Sequence, residues 1–269
     1  MRTLLPSFRT AERHVEGLEA RRLLAGDVTA VVSVDPATNL PTLFVTGDDA
    51  ANGVQITRAL PGQFVLTGLP DANGVPTTVN GQASTTIKPA TAGITIVVST
   101  GGGDDQMVFG TATVSASARG LTIDTGNGAD TVTVRNAVIA GDLVIETGRG
   151  DDSVTVRSVT TSDPIYAGVP APGTGQLRIN TGQGVDQVAV GGLFGAFIAF
   201  GGGSGIVTSS SARKVTVVTD RADDRVEITG FFAGSSEFSG GRGEDVLINA
   251  AGAFTPFGPD DITGFETLL

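Results

Sequence analysis

Aspartate recurs at one place in a series of glycine-rich segments. The segments are Thr100–Asp105, Thr125–Asp130, Thr147–Asp152, Thr181–Asp186, Phe200–Gly205, Thr219–Asp224 and Gly240–Asp245. Their common form is Thr-Gly-x-Gly-x-Asp. Acidic doublets stand at Asp104-Asp105, Asp151-Asp152, Asp223-Asp224 and Glu244-Asp245. Two carboxylates ~5 Å apart repel by roughly 0.8 kcal/mol in water and by about 3 kcal/mol at an effective dielectric near 20. A row of them therefore needs cations, protons or counter-charges. Hard carboxylate and carbonyl oxygens suit calcium. The candidate ligands are Asp105, Asp130, Asp152, Asp186, Asp224 and Asp245, with the turn glycines Gly103, Gly128, Gly150 and Gly184. A metal-free reading stays open beside this one. In it, each Asp accepts backbone N–H bonds in its own turn. Arg149, Arg221, Arg225 and Arg242 then neutralise the row.

Composition removes other chemistries. The 269-residue chain has no Cys and one His, so thiol nucleophiles, thiolate zinc sites and His-rich metal sites are excluded. The one His is His14, in an N-terminal segment set apart from the repeats. A net charge of −11 argues against nucleic acid and anionic membranes as partners. The longest apolar run, Leu193–Phe200, contains Gly195 and is too short to cross a bilayer.

The elements that must position the aspartates are short strands. Val, Ile and Thr abound, and stretches such as Thr131-Val132-Thr133-Val134 alternate with the period of a half-buried strand. With the last residue of each glycine-rich segment as zero, position −7 is Val98, Ile123, Ile145, Ile179, Ile198, Val217 and Phe238. Position +2 is Met107, Val132, Val154, Val188, Val207, Val226 and Leu247. Each unit thus reads strand, glycine-rich turn, strand. Zeros are 25, 22, 34, 19, 19 and 21 residues apart, a period of a solenoid with insertions. Two weaker units come first, one around Leu43, Val45, Asn52, Val54 and Ile56, the next around Phe64, Leu66, Asn73 and Val75. An antiparallel capping hairpin is the alternative for these two.

The expected architecture is all-β: a right-handed parallel β-helix, or β-solenoid, with rungs of about 20 residues. Residues 1–26 read as a targeting segment with a helix from about Thr10 to Leu24, 27–93 as a β cap with weak rungs, and 94–269 as repeats with a C-terminal cap at Asp261–Glu266. Insertions at Pro76–Ala92 and Thr161–Gly175, the second holding Tyr166, should loop out.

Two resemblances add to this. The repeated Thr-Gly-x-Gly-x-Asp-x-Val is similar to the Gly-Gly-x-Gly-x-Asp repeat of the RTX, or haemolysin-type, calcium-binding proteins. It implies calcium held by Asp carboxylates and turn carbonyls of stacked rungs. That family repeats every nine residues, whereas one such turn occurs here in about 20, so one row of sites is implied. Leu18-Glu-Ala-Arg-Arg-Leu-Leu-Ala-Gly26 resembles the Leu-Glu-x-Arg-x-Leu-Leu-Ala sorting motif of planctomycete secreted and surface proteins. That implies an extracellular or cell-surface location.

The expected function is a non-enzymatic, secreted or surface protein with a structural or adhesive role, stabilised by calcium. Its partners would be calcium and a cell-envelope or extracellular polysaccharide or protein. The alternative is a polysaccharide lyase or glycoside hydrolase on a parallel β-helix, since paired carboxylates on adjacent ladders could serve hydrolysis. Absence of Trp and a single Tyr speak against a carbohydrate cleft with aromatic platforms.

Overall fold

Alternating β-branched strands with glycine turns fold into two large sheets in a computed structural model. It describes residues 26–60, 63–71, 74–89, 94–111, 116–163, 171–172, 177–191, 197–199, 203–209, 214–218, 225–230, 235–239, 243–249, 262–263 and 267–268. Among these residues there is no helix. One sheet has 11 strands and the other 13, and pairing in both is mostly parallel. From Thr95 onward, the strands on the main path of the two sheets alternate between them. Thr95–Ser99 lies in the first and Gln106–Phe109 in the second; Gly120–Asp124 returns to the first and Thr131–Ile139 to the second.

The parallel register matches the sequence frame. Ile96, Leu121, Leu143 and Leu177 stand side by side, as do Val98, Ile123, Ile145 and Ile179. In the other sheet, Met107, Val132, Val154 and Val188 are neighbours. All twelve are buried, and they belong to one core cluster that draws on both sheets. Each such side chain contributes about 1.5–3 kcal/mol of burial. Beyond Val134 the strand bends at Asn136, which has φ 47°, and its neighbour Ser158 bends alike at φ 54°. A short third segment follows, pairing Ala116–Ala118 with Ala137–Ile139.

The first weak unit joins the stack: Pro41–Thr46 and Gly53–Leu60 pair in parallel with the next unit, with Asn52 at zero. The second does not. Gln63–Gly68 runs antiparallel to Gly53–Leu60, and Ser84–Ile87 runs antiparallel to it in turn. This hairpin buries Phe64 and Leu66. So part of the Pro76–Ala92 stretch extends the sheet instead of looping out. Within Thr161–Gly175, Ser162 and Asp163 pair antiparallel with Pro172 and Ala171.

A further correction concerns Gly205. The residue beside Asp186 is Gly203, and Val190 pairs with Val207. Gly203 thus follows Ile198 by five positions, where Asp186 follows Ile179 by seven. Val207 holds position +4, not +2. The expected helix near residues 10–24, His14, Tyr166 and Asp224 lie outside the described residues.

Candidate functional site

The glycine-rich turns stack directly on one another. Gly102, Asn127, Arg149 and Gln183, at −3, form parallel bridges. The N–H of Asn127 donates to the Gly101 carbonyl, that of Arg149 to Gly126 and that of Gln183 to Gly148. In the other direction, Gly128 N–H donates to the Arg149 carbonyl and Gly150 N–H to the Gln183 carbonyl. Contact is close enough to dictate residue type. At Gly150 φ is 134°, and a β-carbon there would overlap the carbonyl oxygen of Gly128. The same overlap, turn on turn, holds at Gly128 and Gly184. No L side chain suits such a place.

The predicted aspartates form a file on the inner side of these turns. Asp105, Asp130, Asp152 and Asp186 are at most 2% exposed. Parity explains it: zero shares a strand face with +2 and +4, both core positions. Each carboxylate reaches back one turn. Asn52 N–H donates to Asp105 Oδ1 at 2.6 Å, and Asp105 N–H to Asp130 Oδ1 at 2.8 Å. Asp130 N–H donates to Asp152 Oδ1 and Asp152 N–H to Asp186 Oδ1, both at 2.9 Å. The partner is thus the neighbouring turn, not the aspartate's own turn. Asp245 is buried too.

The second oxygens differ. Oδ2 of Asp105, Asp130, Asp152 and Asp186 is buried without a well-formed hydrogen bond. Burial consequently pushes these carboxyls up from the usual 3.8, Asp105 and Asp152 to about 7 and Asp186 to about 6. Asp130 is raised for the same reason. Hydroxyls of Thr100, Thr125, Thr147 and Thr181 beside the carboxyls oppose this without outweighing it. Thr100 and Thr147 also donate to the carbonyls of Thr125 and Thr181, each at 3.3 Å. In the sequence this buried threonine file shows only as the motif's first letter. Arg149 does not neutralise the row, for its position is exposed on the outer side of the turn. Arg221 and Arg242 lie outside the described residues.

Exposed partners of the doublets bond the other way. Ala129 N–H donates to Asp104 Oδ1 and Val185 N–H to Asp151 Oδ1, both at 2.9 Å. Asn52 closes the file. Its Nδ2 lies within bonding distance of the Asp48, Ala50 and Thr100 carbonyls at 3.0, 2.6 and 3.1 Å.

Calcium takes about six to eight oxygens at ~2.4 Å. In the file, Oδ1 of each aspartate is engaged by backbone N–H. Turn carbonyls at −4 and −3 are engaged between turns. The carbonyl oxygens of Gly103, Gly128 and Gly150 lie against the next turn's glycine. Among the described residues, no group of three or more His, Cys, Asp or Glu is placed to hold a metal ion. What remains is one buried oxygen per turn, a donor set that does not fit a calcium shell. No helix among the described residues is long and apolar enough to cross a membrane. No family model, curated protein or solved structure matches the chain.

Proposed function

We propose that the chain is a non-enzymatic structural protein of the cell exterior or surface, built as a right-handed parallel β-solenoid with rungs of about 20 residues. Support for the solenoid comes from strands that alternate between two sheets while pairing in parallel with the next unit. Such parallel crossovers are right-handed almost without exception. The observation that carries the functional reading is repetition itself. Four consecutive carboxyls make the same bond to the same backbone group. Catalysis requires a distinct group for each role, and a file of equivalent groups serves to hold a long body together. An adhesive or scaffolding body gains from that stiffness. The Leu18–Gly26 segment supports export.

The test is cell fractionation with N-terminal sequencing, paired with binding of the purified protein to envelope polysaccharide. Recovery in the envelope or medium, trimmed near Ala25 or Gly26, supports the reading. An intact Met1 on a purely cytosolic product sinks it. Release of reducing or unsaturated sugar from the polysaccharide would replace it with the lyase or hydrolase alternative.

A further inference from the structure

We propose that the aspartate file is a self-sufficient staple, in which a carboxyl–backbone bond locks each turn to the one before it and the stack stands without a divalent cation. This concerns how the body holds itself, and it stands whether or not the chain is exported.

Geometry is the first support. The four Oδ1 bonds fall between 2.6 and 2.9 Å and involve the same atoms each time. Those oxygens are at full hydrogen-bonding distance from backbone amides.

Direction is the second. Every file carboxyl points toward the N-terminal end. At the first described turn there is, among the described residues, no earlier zero-position N–H to receive it, and there the residue type changes to Asn52. Its amide reverses the chemistry and faces three carbonyls. A row of cation ligands has no reason to end in a donor. A row of acceptors does, because one arm of its last member faces three carbonyl oxygens, while Asn52 Oδ1 lies against Gly26.

The doublets supply the third. Asp104 and Asp151 bond forward to Ala129 and Val185, while Asp105 and Asp152 bond backward to Asn52 and Asp130. One doublet therefore ties three turns. Both members are spent on amides.

The experiment is thermal melting of the full chain at pH 7.5, stripped with chelator and then given EDTA, millimolar calcium, magnesium or ionic-strength-matched sodium. Wild type, Asp130→Asn and Asp130→Ala are compared. Asn keeps an acceptor at Oδ1, and its amide replaces Oδ2, the buried oxygen without a well-formed hydrogen bond. We expect EDTA and calcium melts of wild type to agree within about 1 °C. Asp130→Asn should melt at or above wild type, and Asp130→Ala several degrees below it, with or without calcium. A calcium-specific rise of roughly 5–10 °C, lost in both variants, would make the file a calcium site and overturn the proposal. So would an Ala variant that melts with wild type, or an Asn variant that falls as far as Ala. Should Asp130→Ala fail to fold, the Asn variant and a calorimetric calcium titration of wild type decide. Saturable heat with calcium counts against the staple, and its absence supports it.

Discussion

The turn at Gly47–Asn52 and the turn at Gly148–Asp152 occupy equivalent places, yet share almost no residue types. In the second, glycine fills −4 and −2, threonine −5 and aspartate zero. In the first, Asp48 and Ala50 stand at −4 and −2, glycine at −5 and asparagine at zero. Gly148 and Gly150 have positive φ and lie against Gly126 and Gly128. Asp48 and Ala50 have no positive φ. Among the described residues no glycine-rich turn lies beneath them, so side chains are tolerated. The motif is therefore a record of what sits below each turn, more than of any ligand. Gly47 fits the same account: a β-carbon there would strike the Asn52 amide and the Thr100 carbonyl.

Exchanging residues between the two turns tests this. Gly150→Ala should have the largest effect, since the new methyl meets backbone that cannot swing aside. We expect a loss of about 3–5 kcal/mol, read as a fall in denaturation midpoint. The mirror change, Ala50→Gly, should cost no more than about 1 kcal/mol. Equal losses at the two sites would break the comparison.

Asn52→Asp comes next. It turns a donor to three carbonyls into a buried acceptor among acceptors, and should cost about 2–4 kcal/mol at pH 8. Part of the loss should return at pH 5, where the new carboxyl can be protonated. An unchanged melt would show that the end of the file is not chemically distinct.

Acidity gives a third, smaller effect in wild type. Asp105 and Asp152 have folded-state values of about 7 and Asp186 about 6, above the usual 3.8. Between these limits the folded chain keeps protons that the unfolded chain has released. The contribution of these carboxyls to stability is then fully present below about pH 4 and is lost as pH climbs through 6 to 7. Tm should be a few degrees higher at pH 5 than at pH 8, the reverse of ordinary acid unfolding. A Tm that rises with pH across this window would contradict burial as the cause. Smallest of all, Asp104→Ala removes one forward bond at the surface and should cost less than about 1 kcal/mol in a denaturant titration.

Much of the core was legible because alternation reports which residues face inward. Ile96, Val98, Met107 and their partners in later units needed nothing more. Alternation is blind to strand direction, however, which is why Phe64 and Leu66 matched the spacing of a unit while belonging to an antiparallel hairpin. The distinguishing signal was the missing Gly-x-Gly before Asn73. At Gly203 the glycines themselves misled, since three in a row followed by Ser204 and Gly205 fit several frames. Pairing Val207 with Val190 would have fixed the frame. Inward placement of the aspartates was also within reach, as zero and +2 differ by two residues. What no single unit could reveal is the reach of Oδ1 into the previous turn, because that contact joins residues 22 to 53 positions apart.

One-way bonding along the file has a genealogical consequence. An interior turn receives from one neighbour what it offers to the other, so a duplicated copy finds both of its partners ready-made. Only the two termini need bespoke residues. Tandem copying can thus lengthen such a protein, and deletion can shorten it, while Asn52 and its capping hairpin stay unchanged.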